Sequence, residues 1–316
     1  MEDSVSIDLF VKNNEDLIEK WFKKMKYFTP TKMLLNLDDR SKRFNQKSFF
    51  SELVTEINND KFTLYYHNWK NWVSCHKSYE NINLINLSAK FEKDNYEKKK
   101  EEIHFLINDI MKNYGIDARI VNSTDKYWQN DKHVYTHVSN NKSIEDIFAI
   151  DMFTNSMEKM PGYEIKIGEI WHGASWKMWF NTPYYEYVPK NILENYNDCY
   201  KNEKISSECI CITLYEDVND YDNPQNRELQ LKFKRAINFD ELVKNARADE
   251  IKKTQDPKIS IQFGDYKNGG KRRVINYLDD EEKSTRRSKA VQAEVVYCDR
   301  EGKFLFAEIK PIDEID

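Results

Sequence analysis

Few side chains in this sequence are spaced for chemistry, and each has a structural reading beside the chemical one. His172 stands in a predicted turn, His172–Ala174, beside Trp171 and close to Trp176, where an imidazole could serve as a general base. No Ser, Cys or acid is spaced to single out a partner for it, so a packed, hydrogen-bonded ring is the simpler reading. Cys209 and Cys211 fall on one face of a predicted strand, because side chains repeat every two residues. With His172 they would offer a metal three ligands. Zinc sites usually show two ligand pairs at short spacing; here there is one pair, and burial of free thiols accounts for it. His133 and His137 are four apart but lack the intervening Glu of the metalloprotease arrangement. The residues therefore assign no catalytic group, no metal ligand and no cofactor.

Two segments are charged enough to meet a partner. Glu216–Glu228 (EDVNDYDNPQNRE) carries Glu216, Asp217, Asp220, Asp222 and Glu228 against Arg227. It has Pro and no Gly, and lacks the fixed acidic spacing of a calcium-binding EF-hand loop. It reads either as a solvated connection or as a contact surface for a basic partner. Lys267–Lys289 carries Lys271, Arg272, Arg273, Arg286, Arg287 and Lys289, interrupted by Asp279–Glu282. A nucleic-acid patch would need such cations. The acidic interruption and a chain net charge of −5 favour a mixed-charge surface instead.

The elements that must position these residues come from the pattern of apolar positions. The chain has 316 residues, 40% hydrophobic and 33% charged, which fits a polar but foldable protein. Eight glycines leave little room for Gly-rich nucleotide loops. Five cysteines, an odd number without repeated spacing, do not form a disulfide framework. The N-terminal stretch is acidic, without the regions of a signal peptide, and no apolar run reaches bilayer length. A reduced, cytoplasmic protein without membrane contact is expected.

Amphipathic periodicity predicts helices over Asn14–Phe28, Ser48–Asn58, Asp94–Tyr114 (with Gly115 as a left-handed cap), Ser143–Met157 and Pro189–Tyr196, and one opened by Asn238 and Glu241 through about Lys252. Strands are predicted at Phe62–Tyr66, Ile82–Ser88, Ile116–Val121, Tyr163–Trp171, Ser175–Phe180, Glu208–Tyr215 and Leu229–Ala236. Between them, His67–Asn81 and Asn122–Asn141 read as polar connections, the second a seam between halves. The tail holds four β-prone runs, Ile259–Phe263, Arg273–Leu278, Val291–Tyr297 and Phe304–Ile309, the last two joined by the turn Asp299–Lys303. The stretch Ile167–Pro189 is the richest in large rings. Trp176 and Phe180 within it are expected to be buried. The fold class expected is α+β: antiparallel sheets with helices on one face, plus a small C-terminal β-rich extension. The divisions expected are 1–141, 142–254 and 255–316.

The run WHGASWKMWF, YEYVPKNIL, ICITLYEDVNDYDNPQNRELQLKF and INFDEL, within about Asp151–Val243, resembles the C-terminal part of bacterial immunity proteins that neutralise toxins delivered to neighbouring cells. The N-terminal LIEKWFKKMKYFTP is loosely similar, and the tail after Thr254 is unmatched. The resemblance implies stoichiometric binding and occlusion of a toxin, an α+β fold, and no catalytic residues. A non-enzymatic binding protein with a cognate toxin as partner is the first expectation. Its partner surface is expected to combine Glu216, Asp217, Asp220 and Asp222 with exposed rings, Tyr184 or Tyr185. The alternatives are an enzyme with a site near His172 and a nucleic-acid-associated protein using residues 267–289.

Overall fold

In the computed structural model the described residues are 3–35, 41–59, 62–77, 83–130, 160–167, 170–246, 259–264, 271–298 and 304–315. They form two compact units, Met1–Val243 and Lys244–Asp316.

In the first unit the order is β1 (Ser4–Lys12), α1 (Glu15–Lys24), β2 (Lys32–Leu34), β3 (Lys42–Arg43), α2 (Gln46–Glu56), β4 (Phe62–His67), β5 (Trp72–Lys77), β6 (Leu84–Glu92), α3 (Lys93–Asn113), β7 (Gly115–Asn122) and α4 (Ser123–Asn130). Then come β8 (Ile165–Ile167), β9 (Ile170–His172), β10 (Lys177–Phe180), a 3-10 turn at Thr182–Glu186, α5 (Lys190–Glu194), β11 (Lys201–Lys204), β12 (Ile210–Thr213) and α6 (Pro224–Ala236). Ten strands make one sheet in the order β11-β12-β10-β7-β1-β6-β5-β4-β2-β3, and β8 pairs with β9 in a separate hairpin. Every pairing in the large sheet is antiparallel. The fold is α+β, as expected.

β1 lies in the middle of this sheet, in a stretch where no strand is expected from the sequence. Its sequence SVSIDLFVK alternates: Val5, Ile7, Leu9 and Val11 are fully buried on one side, while Ser6, Asp8 and Phe10 take the other. α3 packs across β1, β6 and β7 and α1 against β5, covering the apolar side. α1 is capped by Asn14, whose Oδ1 accepts from Leu17 N, and buries Leu17, Ile18, Trp21 and Phe22. On the Asp8 side, α4 packs against β1 and β7. There also Phe233 of α6 stacks with Phe180 of β10 at 5.9 Å.

Several elements differ from expectation for local reasons. Trp72–Lys77 is a strand inside the predicted polar connection, its buried Val73, Cys75 and Lys77 alternating with half-exposed neighbours. Ser123–Asn130 is helical. Leu229–Ala236 belongs to a helix, not a strand. Asn223 caps it through Gln225 N, Pro224 occupies its first turn, and Arg227, Gln230, Phe233 and Lys234 are buried at helical spacing. Gly115 is not a left-handed cap: a Cβ there would lie 2.6 Å from Met111 Cα, so its small size serves the close approach of β7 to α3. Trp176 and Phe180 are both buried, but β10 begins only at Lys177. Trp176 therefore faces His104 of α3, on the opposite side of the sheet from Phe180. The predicted helix Ser143–Met157, His133, His137 and the turn Asp299–Lys303 lie outside the described residues.

The second unit is an antiparallel meander, β13 (Ile259–Gly264), β14 (Lys271–Leu278), β15 (Gln292–Cys298) and β16 (Phe304–Pro311). Its core is small: Ile275, Tyr277, Ala293 and Val295, with Ile315 against them. No helix among the described residues is long and apolar enough to cross a membrane.

Candidate partner-binding surface and the buried polar cluster behind it

The acidic segment after β12 is held at its root by the core. Leu214 N donates to Trp176 O at 2.9 Å, and Trp176 Nε1 donates to Tyr215 O at 2.8 Å. Val218 and Tyr221 are buried beneath it. Asp217 Oδ1 accepts from the backbone N and the Nδ2 of Asn219, both at 2.9 Å. Asn219 Oδ1 in turn accepts from Asn122 Nδ2 at the end of β7. Asn226 Nδ2 closes the far side on Asp220 O at 2.7 Å.

The charges divide in a way the sequence alone conceals. Arg227, the one cation of the segment, is 3% exposed and points inward, 2.8 Å from Asp125 of α4. Glu228 lies on α6 and pairs with Arg235 at 2.5 Å. Asp217 is half-buried and bonded within the loop. Glu216, Asp220 and Asp222 are exposed and make no ion pair among the described residues.

The rings expected beside this loop are placed elsewhere. Tyr184 is a correction: it is fully buried, stacked on His172 at 4.8 Å and against Phe180 at 4.6 Å, because the 3-10 turn folds it back onto β10. Tyr185 is half-buried, its hydroxyl donating to Glu208 O at 2.6 Å and Phe180 O at 3.2 Å. Those carbonyls lie where β12 begins, while the acidic loop leaves where β12 ends. Tyr200, 58% exposed with its N–H on Leu214 O, is a ring at the loop's root.

His172 is fully buried between Tyr184 and Tyr187, and burial lowers its pKa to about 4. Neither ring nitrogen has a hydrogen-bond partner among the described residues. The next residue, Gly173, holds φ +147 and meets Tyr163 O at the position of a Cβ, so only glycine fits there. Nearby, Asp117 of β7 is buried, and burial pushes its carboxyl up to about 8 despite the Arg119 charge and the Trp171 N–H at 3.5 Å. Cys209 and Cys211 are buried free thiols whose pKa values burial raises, and Cys211 sits opposite Trp179 on the α3 side of the sheet, away from His172. No cluster of three possible metal ligands occurs among the described residues.

A larger polar cluster, not anticipated from the sequence, centres on Arg119. Its guanidinium bonds Glu164 and lies 3.4 Å from Asp8, with the Trp171 ring 3.9 Å over it. Asp8 also takes Lys126 Nζ at 2.6 Å and Ser88 Oγ at 2.9 Å, and Ser175 Oγ donates to Glu164. Burial would raise the Asp8 pKa, but Lys126 and Arg119 hold it down at about 2. The signal was present: Asp8 and Arg119 are charged residues inside apolar strands, directly opposite each other in register. The cluster joins β1, β7, α4 and the segment before β8.

No family model and no curated protein matches the chain. Among solved structures, a T6SS protein of Pseudomonas aeruginosa is similar at 10% sequence identity and a TM-score of 0.48, over 75% of this chain and 72% of that one.

Proposed function

We propose that this chain is a non-enzymatic, cytoplasmic binding protein of the immunity type, which neutralises a cognate toxin by occupying it. The observation that carries this reading is the division of charge in the acidic loop. Glu216, Asp220 and Asp222 face outward while Arg227 is turned into the core against Asp125. A carboxylate surface on a rigid mount attracts a basic protein and speeds its capture. Asp217 is reassigned within this reading to shaping the loop, because its carboxylate is spent on Asn219. The resemblance of Asp151–Val243 to immunity proteins points the same way.

The test is to produce the chain together with the product of the adjoining gene in a sensitive host. Rescue of growth, with a stable complex of the two proteins, supports the reading. Rescue without a complex, or an adjoining product that the chain never binds, contradicts it.

A further inference from the structure

α3 carries a ring that its own packing does not use. The helix buries Tyr96, Ile103, Leu106, Ile107, Ile110 and Met111 on one stripe. Phe105 lies off that stripe and is 77% exposed. It borders a groove of about 660 Å³ between α3 and α1. Half-buried Tyr27, just past the end of α1, and buried Leu106 complete the apolar lining.

The two walls of the groove differ in sign. α1 contributes Lys20 and Lys24, and α3 contributes Glu101, Glu102 and Asp109. Lys20 reaches Asp109 at 2.5 Å. At the other end Lys99 of α3, bonded to Glu102 at 2.7 Å, stands 5.7 Å from the centre of the Tyr27 ring. α1 and α3 therefore run antiparallel along the groove, and Lys24 falls beside Phe105, between the levels of Asp109 and Glu102. Two more cations stand at the rim: Lys23, paired with Glu19 at 2.6 Å, and exposed Lys98, one turn before Glu102. Lys24 and Glu101 are exposed and make no ion pair among the described residues.

A basic wall beside an acidic one is self-complementary about a two-fold axis. An axis lying along the groove sets α1 of each chain over α3 of the other. Each Lys24 then meets the other chain's Glu101, and each Phe105 enters the other chain's groove over Tyr27. A partner of one sign would meet like charge on one of the walls. We propose that a second copy of this chain docks in the α1–α3 groove, forming a two-fold dimer anchored by Phe105 of both chains. The dimer does not depend on the function proposed above. The ring supplies the affinity, since exposed ion pairs contribute little, and the charges fix the orientation.

The test measures the mass of the purified full chain by analytical ultracentrifugation, from micromolar to near-millimolar concentration. The samples are wild type, Phe105→Ala, Lys24→Glu, Glu101→Lys and an equal mixture of the last two. All three side chains are exposed, so each variant should keep the wild-type melting temperature. Wild type should be a dimer that dissociates on dilution. Phe105→Ala should raise the dissociation constant about thirtyfold, because the ring is lost from both sides. Lys24→Glu and Glu101→Lys each place like charge against like in their own dimers and should each weaken them about tenfold. Their mixture should recover the wild-type value, because each chain reverses the charge that the other keeps; mixing would not repair a misfolded variant. A wild type that stays monomeric, or a dimer that Phe105→Ala leaves unchanged, overturns the proposal. A monomeric wild type whose binding to the adjoining gene's product is lost in Phe105→Ala would give the groove to a different protein. Charge variants that dimerise like wild type, or a mixture that recovers nothing, overturn the two-fold pairing.

Discussion

The His172 ring takes up a proton near pH 4 in the folded chain and near 6.5 in the unfolded one. Its folded pKa is depressed, so the stability it contributes is present above pH 6.5 and is lost as pH falls toward 4. The full loss is on the order of 3 kcal/mol. His104, lowered by burial to about 3, acts in the same direction. His172→Phe should therefore flatten, without abolishing, the fall of the urea midpoint between pH 6.5 and 4; an unchanged slope contradicts the buried placement. Asp117 has the opposite sign. Its folded carboxyl keeps a proton to about pH 8 while the unfolded one loses it near 3.8, so stability falls across that window as pH rises. Asp117→Asn should be more stable than wild type at pH 8, with the gap closing toward pH 4. Thermal unfolding at the two pH values decides it, and a less stable variant at pH 8 would count against a neutral Asp117. A packed His172 ring is expected from the sequence, but its ring nitrogens without hydrogen-bond partners among the described residues and the raised Asp117 carboxyl are not, because only the turns bring Tyr184, Tyr187 and Trp171 around them.

At the scale of elements, the buried Arg119 joins β1, the segment before β8 and the Trp171 ring. Arg119→Met would leave Asp8 and Glu164 buried without their guanidinium, a loss of roughly 3–5 kcal/mol, readable by chemical denaturation. A loss below about 1 kcal/mol would mean that the cluster is solvated rather than structural. Long helices and the tail strands could be read from periodicity, since Ile103, Leu106, Ile107 and Ile110 or the apolar runs of β13 to β16 signal themselves locally. β1 was also readable in principle, because Val5, Ile7, Leu9 and Val11 alternate without fault. Asp8 and the acidic residues flanking the strand lower its hydropathy and mask that alternation. α6 departs from the expected strand for a different reason. Leu229 and Leu231 imitate a strand's alternation, while the residues it buries include Arg227, Gln230 and Lys234, which hydropathy scores as surface. The cap, Asn223 followed by Pro224, was the better guide.

At the scale of the whole molecule, the chain divides after Val243 into a large unit with an extensive core and a small one whose described residues include a cluster of Ile275, Tyr277, Ala293, Val295 and Ile315. A chain ending at Val243 should keep the cooperative unfolding of the large unit and the whole acidic loop. Loss of cooperativity on truncation would show that residues 244–316 complete its core. The outward carboxylates were visible in the sequence as a dense acidic segment, but their isolation was not, since that depends on Arg227 turning toward Asp125 across more than a hundred positions of chain. The central claim is that this charge captures a basic protein partner. Its most direct test is the association rate of the adjoining gene's product with wild type and with Glu216→Gln/Asp220→Asn/Asp222→Asn, measured over a range of salt concentrations. The account predicts association slowed about tenfold at low salt, a flatter salt dependence and little change in dissociation. Identical association rates and salt slopes for the two proteins would contradict it.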